Sequence, residues 1–408
     1  MNGSYILDGV RTAIGSFRGT LSDIRTDDLA AFVIQKLMER NPTISPNGVD
    51  DVIFGCANQA GEDNRNVARM ALLLAGIPYT VPGETVNRLC ASGMSAVIHA
   101  HRGIMVGDGH LFIAGGVENM TRGPLVISKA SVPFGGDSQM YDSTFGWRFI
   151  NPKMKALYGV EAMGETAENL ASQFKISRED QDKFAAWSQQ KAAIAAVDGK
   201  FKNEIVPLHI PQKKSDPIIF DSDEFVRPST TANILSKLKP AFKVGGSVTA
   251  GNSSGLNDGA AALMICSQKF LKGTNFKPLA RIVGSMVVGV EPRIMGIGPV
   301  YAIKKLLQKA NLTLDDMAII EINEAFAVQV LACLQELGIA FDDVRVNPNG
   351  GSIALGHPLG MSGARILLTA AHELQRQHKR YAIVSMCVGV GQGYATLLEN
   401  PFFLTDKE

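Results

Sequence analysis

Two stretches far apart in this chain carry the same pattern. Residues 33–54 (VIQKLMERNPTISPNGVDDVIF) and residues 302–320 (AIKKLLQKANLTLDDMAII) each read as an amphipathic helix, a polar connection ending in Asp-Asp, and an apolar strand. Ile34, Leu37 and Met38 match Ile303, Leu306 and Leu307 at i, i+3, i+4 spacing. Further on, residues 85–93 (TVNRLCASG) and 345–352 (RVNPNGGS) both run strand, Val-Asn, turn and small residues. Each then leads through a helix to an apolar strand, LFIA at 111–114 or YAIVS at 381–385. Two copies of one α/β unit are therefore expected, and the alternation of strands and helices predicts parallel sheets covered on both faces.

Between the copies the composition shifts. Residues 122–248 are more polar, with a Gly/Ser-rich stretch (PFGGDSQMYDS), a helix from Ser177 to about Asp198 and a basic-proline linker (IPQKKSDP). So long an excursion predicts a binding lid or an interface. With 40 Lys+Arg against 39 Asp+Glu, the net charge of +1 draws the chain neither to nucleic acid nor to an anionic membrane. No run of about 18 apolar residues predicts a membrane span, and five scattered cysteines without a C-x-x-C pair predict neither a disulfide framework nor a metal site. The expectation is a cytoplasmic protein in a reducing compartment. The C-terminal LTDKE matches neither a peroxisomal nor an endoplasmic-reticulum address.

Three segments could carry chemistry. Cys90 ends an apolar strand and precedes Ala91-Ser92-Gly93, which would expose its thiol at a helix N-terminus where the dipole favours a thiolate. Taken alone, such a cysteine reads equally as a small core residue. In VNPNGGSIALGHPLGMSG (346–363), His357 between Gly356 and Pro358 is a candidate base on a constrained turn, or a turn histidine satisfied by backbone. Cys387, in SMCVGVGQG, occupies a strand end before a glycine turn. The two cysteines in corresponding places of the repeats suggest a shared site, or a disulfide. Asn323, after the strand at 317–322, would sit where α/β ligands bind, or would cap a helix.

Four ordered motifs together resemble the thiolases: Asn87-Arg88-Leu89-Cys90-Ala91-Ser92-Gly93, Asn323-Glu324-Ala325-Phe326, Gly356-His357-Pro358-Leu359-Gly360, and Cys387-Val388-Gly389-Val390-Gly391-Gln392-Gly393. The resemblance spans essentially the whole chain. It implies an α/β thiolase fold, a duplicated five-layered αβαβα core with an inserted loop domain. It divides the chain into an N-terminal half at 1–121 completed by about 249–273, a loop and oligomerisation domain at 122–248, and a C-terminal half at 274–408. It implies Cys90 as acyl-accepting nucleophile, His357 as its base and Cys387 as the acid/base at the α-carbon. Asn323, through a bound water, and His357 would hold the enolate; the N–H groups of Cys90 and Gly389 would hold the acyl oxygen. Coenzyme A would be a co-substrate, with no tightly bound cofactor and no metal. Its contacts would come from Ala250, Ser254, Met163 and Phe326, and from Arg227 near the nucleotide; Arg227 also reads as part of a surface turn. A homodimer or homotetramer is implied as well.

Three positions depart from the usual pattern: Ala91 replaces a glycine, Val390 interrupts the last glycine run, and Ala162 stands where the biosynthetic branch commonly has His. Residues 59–78, 145–169 and 387–393 look like the thiolases of aromatic-compound degradation that act on 3-oxoadipyl-CoA, and acetoacetyl-CoA synthesis is not expected as the main task. A distal carboxylate needs a cation or fixed donors, for which Arg148 and Lys153 are candidates; each also reads as solvated surface charge. Other readings are a broad 3-ketoacyl-CoA thiolase, an acetyl-CoA C-acetyltransferase, and a non-catalytic acyl-CoA or lipid carrier. A decarboxylating condensing enzyme lacks the second cysteine.

Overall fold

In the computed structural model, which describes residues 3–213 and 215–403, both copies of the repeat are present. The N-terminal copy comprises β1 (Ser4–Arg11), α1 (Thr26–Arg40), β2 (Asp51–Gly55), β3 (Gly83–Val86), α2 (Ser92–Val106), β4 (Leu111–Asn119) and, after the excursion, β5 (Asn257–Ser267). The C-terminal copy comprises β6 (Ala280–Gly289), α3 (Gly298–Ala310), β7 (Met317–Ile322), α4 (Ala327–Leu337), α5 (Leu359–Gln377), β8 (Tyr381–Val388) and β9 (Gln392–Glu399). Lys214 of the basic-proline linker and the LTDKE terminus lie outside the described residues.

The strands run in the order β7-β8-β9-β6-β1-β5-β4-β2-β3, joined across the copies where Ser4–Ile6 of β1 pairs with Ala280–Ile282 of β6. At the position equivalent to β3, Val346 makes an isolated parallel bridge to Ile320 of β7. The expectation of parallel sheets is corrected: only β2/β3, β2/β4 and β7/β8 are parallel, and the pairs β4/β5, β1/β5, β1/β6, β6/β9 and β8/β9 are antiparallel. The reason lies in the connections. Gly389–Gly391 reverses the chain between β8 and β9, far too short a link for the crossover of a dozen residues that a parallel pair needs.

Three apolar cores pack against this twisted run of strands. Leu29, Val33, Ile34 and Leu37 of α1 cover Val52, Phe54 and Ile113 on one outer face. Ile303, Leu306 and Leu307 of α3 cover Ile320, Ile383 and Leu397 on the other. Between them, Met94, Val97 and Ile98 of α2 pack with Ala364, Leu367 and Leu368 of α5. Glycine permits that close central crossing, since a Cβ on Gly363 would stand 2.3 Å from the Met94 nitrogen.

The excursion holds the helices Met163–Phe174 and Arg178–Val197, the latter capped by Ser177, whose side chain accepts from the Asp180 N–H. It is clipped to β1 by Arg11, fully buried, whose Nε lies 3.0 Å from Glu204 and whose Nη1 lies 2.7 Å from Asp223. Among the described residues no helix is long and apolar enough to cross a membrane.

Candidate active site

Two cavities meet at Cys90. One, of about 260 Å³, is lined by Cys90, Cys387, His357, Ser254, Met163 and Phe326, among others. The second, of about 480 Å³, is lined by Cys90, Gly389, Val390, Arg148, Asn58 and Thr144, among others. Cys90, Phe145, Met163 and Leu359 border both.

Cys90 lies in a single 3-10 turn, Leu89–Ala91, between β3 and α2. The strand itself stops at Val86, short of the cysteine. At this turn burial and the local N–H donors act on the thiol in opposite directions. Burial pushes the thiol up to about 11, even though the N–H groups of Gly389 and of Cys90 itself point at the sulfur and pull the other way. Desolvation of a charge in this pocket outweighs the helix end, which disfavours the thiolate at rest.

The candidate base, His357, is held with Nε2 unprotonated. His357 follows the short helix Ser352–Leu355 and precedes α5, and its backbone N–H donates to Asn257 Oδ1 at 2.9 Å. Ser362 Oγ donates to the Pro358 carbonyl at 2.8 Å, so the 2.6 Å contact between His357 Nδ1 and Ser362 Oγ puts the imidazole hydrogen on Nδ1. Nε2 keeps its lone pair, with Asn323 Nδ2 3.4 Å away. Burial, with the charge of Arg365 added, lowers His357 to about 3, so the ring is neutral and able to accept a proton. Asn323 follows β7 and is aimed by Ser352, whose hydroxyl donates to Asn323 Oδ1 at 2.6 Å.

Cys387 is buried in β8 opposite Gly393, and burial raises its thiol well above the ordinary range. The two cysteines are not at equivalent places: Cys387 lies on β8, the counterpart of β4, whereas Cys90 follows β3, whose counterpart is Val346. Both are free thiols.

Of the remaining expected contacts, Ser254, Met163 and Phe326 line the smaller cavity. Arg227 and Ala250 are exposed and line neither. Arg148 borders the larger cavity, whereas Lys153, exposed in the helix Pro152–Tyr158, borders neither. Sequence reasoning missed Ser352, Ser362 and Asn257, which aim Asn323 and His357, and Asn58, Ser143, Thr144 and Glu118 in the larger cavity. Ser362 lies five residues after His357, within the 346–363 stretch, but no spacing signal joins Asn257 to His357 or Ser352 to Asn323.

The sequence matches the family descriptions "Thiolase, N-terminal domain" over residues 4–269 and "Thiolase, C-terminal domain" over residues 276–400. It is 57% identical over 400 residues to the beta-ketoadipyl-CoA thiolase of Acinetobacter baylyi, covering 98% of this chain and all of that protein. It is 54% identical, with the same coverage, to the 3-oxoadipyl-CoA/3-oxo-5,6-dehydrosuberyl-CoA thiolase of Escherichia coli. The crystal structure of human mitochondrial 3-ketoacyl-CoA thiolase in complex with CoA superposes with a TM-score of 0.89 at 40% identity, covering 98% of each chain. By sequence and by fold, this chain belongs to the thiolase family and is an acyltransferase.

Proposed function

We propose that this enzyme cleaves 3-oxoadipyl-CoA with CoA to succinyl-CoA and acetyl-CoA through an acyl-enzyme on Cys90. The observation that carries the reading is the position of Cys90 at the junction of two cavities, one shared with His357 and Cys387 and the other bordered by Arg148. His357 Nε2 takes the Cys90 proton, and the thiolate adds to the 3-keto carbon while the N–H groups of Cys90 and Gly389 hold the oxyanion. Collapse breaks the C2–C3 bond. The departing thioester enolate is held by Asn323 and His357 and takes its proton from Cys387, leaving as acetyl-CoA. The CoA thiol, deprotonated by Cys387, then attacks the acyl group on Cys90 and releases succinyl-CoA, and both side chains regain their starting states.

The pantetheine arm fits the smaller cavity along Ser254, Met163 and Phe326, with Ala250 further out and Arg227 beside the nucleotide. The tail carboxylate fits the larger cavity, where Arg148, not Lys153, is the cation at hand, with Asn58, Ser143 and Thr144 as further polar groups. The relatives named for this substrate, 54–57% identical along their full length, support the tail assignment. Residues 122–248 serve as lid and assembly domain between the two halves. The edge strand β3 and the hairpin Leu125–Ile127/Met140–Asp142, with Leu125, Ile127 and Met140 each at least 60% exposed, are surfaces for a dimer and a tetramer. Light scattering showing a monomer at micromolar concentration would refute that assembly. Five free thiols suit the reducing cytoplasm.

The test is kcat/KM for CoA-dependent cleavage of 3-oxoadipyl-CoA beside acetoacetyl-CoA and a medium-chain 3-ketoacyl-CoA, with Cys90→Ala as blank. A preference of at least ~10-fold, about 1.4 kcal/mol, for the dicarboxylic substrate is expected. Equal or reversed preference would leave a general thiolase, and Arg148→Ala with unchanged preference would remove Arg148 from the role.

A further inference from the structure

Glu118, at the end of β4, is 2% exposed and takes no part in the steps above. Its carboxylate gathers three backbone N–H groups: Ala57 at 3.0 Å and Gly360 at 2.8 Å on Oε2, and Asn58 at 3.0 Å on Oε1. Ala57 and Asn58 leave β2 in the N-terminal copy, while Gly360 lies in the first turn of α5, three residues after His357 in the C-terminal copy. Around this point the copies meet backbone to backbone. A Cβ on Gly360 would stand 2.2 Å from the Val117 carbonyl, and one on Gly116 would stand 1.9 Å from the Gly360 carbonyl. The His357 turn is thus seated on bare main chain of the other repeat, and the Glu118 carboxylate bonds it there. The same carboxylate borders the larger cavity with Cys90.

We propose that Glu118 is a positioning residue: in its ionised form it locks the His357 turn to the loop at residues 57–58, in the arrangement that brings the imidazole to the Cys90 thiol. This rests on the thiolase reading of Cys90 and His357, and not on the identity of the acyl tail. An ionised carboxylate accepts charge-assisted bonds from all three N–H groups, whereas the protonated acid is a much weaker acceptor. Protonation therefore weakens all three bonds and loosens the turn.

The groups facing Glu118 are Cys56 and Asp63 from the segment after β2, Cys90 from the turn before α2, and Arg148 and Glu165 from the excursion along the shared cavity. Burial, with Asp63 adding to it, pushes Glu118 up to about 7 against the pull of its N–H donors. The Cys56 and Cys90 thiols are pushed above their ordinary values and the His357 ring far below its own, so none of these three changes charge near neutrality.

The experiment measures single-turnover acyl transfer from acetoacetyl-CoA to Cys90, followed as acetyl-CoA release without added CoA, from pH 5.5 to 8.5, for the wild type and Glu118→Gln. The wild-type rate is expected to rise about tenfold per pH unit and level off near pH 7. Glu118→Gln sets an amide NH₂ against the N–H donors at every pH. It should be flat across the range and about 10²-fold slower at pH 8, as befits a catalytic group displaced by ~1 Å. Its KM should stay within about threefold and its melting temperature at or above wild type, because a buried charge is gone. A wild-type profile without the acid limb overturns the proposal whatever the variant does. So does a variant that keeps the limb, or one that loses activity only because it unfolds, which is what a purely structural role predicts. A wild type that never acylates Cys90 overturns the thiolase reading together with it.

Discussion

Val390 turns the chain between β8 and β9 at φ +61°, a left-handed conformation that a β-branched residue rarely adopts, and its side chain borders the larger cavity at 41% exposure. Holding such a residue there costs ~1–2 kcal/mol, which Val390→Gly would recover. Against this stand the extra freedom of glycine in the unfolded chain, ~0.5–1 kcal/mol, and the loss of a side chain only partly removed from water, about 1 kcal/mol. These nearly cancel, and Val390→Gly should lie within about 1 kcal/mol of wild type in denaturant melts. Val388→Gly, two residues earlier at a fully buried strand position, has no strain to recover and should cost ~3 kcal/mol or more. Val390→Gly also removes three carbons from the wall of the larger cavity, so the preference for 3-oxoadipyl-CoA over acetoacetyl-CoA should fall about tenfold. If Val390→Gly destabilises as much as Val388→Gly, the strain argument fails. If it leaves the preference within threefold of wild type, the side chain does not shape the tail site.

Cys387→Ala should still acquire an acetyl group on Cys90 from acetyl-CoA, seen as an intact-mass increase, while thiolytic turnover falls by ~10²–10⁴ for want of a proton donor to the enolate; turnover within threefold of wild type would remove Cys387 from that step. Because burial holds the Cys90 thiol up to about 11, its alkylation by iodoacetamide should accelerate about tenfold per pH unit between 7 and 9. A flat profile would mean a preformed thiolate with His357. Glu321, buried in β7 with Oε1 unpartnered, is pushed up to about 8, first by burial and against the pull of Arg365. Its folded value lies above its unfolded one, so its contribution favours the fold below about pH 4.5 and is lost as pH rises toward 8, by up to ~1.4 kcal/mol per unit. Glu321→Gln should therefore melt above wild type at pH 8.5 and match it near pH 4.5; a variant less stable at both would refute this.

The duplication was legible because helix and strand periods survive in single segments. Ile34, Leu37, Ile303, Leu306 and Leu307 are all buried where the spacing put them. Strand direction was not legible, because it depends on which strands become neighbours, and β5 joins β4 across the whole excursion. The state of the Cys90 thiol was not legible for a related reason. A turn before a helix is visible locally, but the desolvation that outweighs the helix end comes from residues brought in by the fold. Arg148 and Lys153 were indistinguishable in sequence, and only the path of the chain at 145–160 sets the first against a cavity and the second in solvent.

The proposed site lies where the two copies differ. After β3 the N-terminal copy reaches α2 in five residues, Asn87–Ala91, and this short link places Cys90 in a single turn against the helix start. After Val346 the C-terminal copy takes residues 347–358 to reach α5, enough for a short helix and for the turn that carries His357 to the far side of the same cavity. Equal links would have set equivalent groups at equivalent places. Unequal ones bring Cys90 of one repeat and His357 of the other to the same cavity, with the glycines of β4, α2 and α5 admitting the close approach that this requires. Shortening 347–358 should thus cost activity well before it costs the sheet, since β7, β8 and β9 pair without it. Deletion of two residues from 348–350 that left turnover intact would show that the length of this link is incidental.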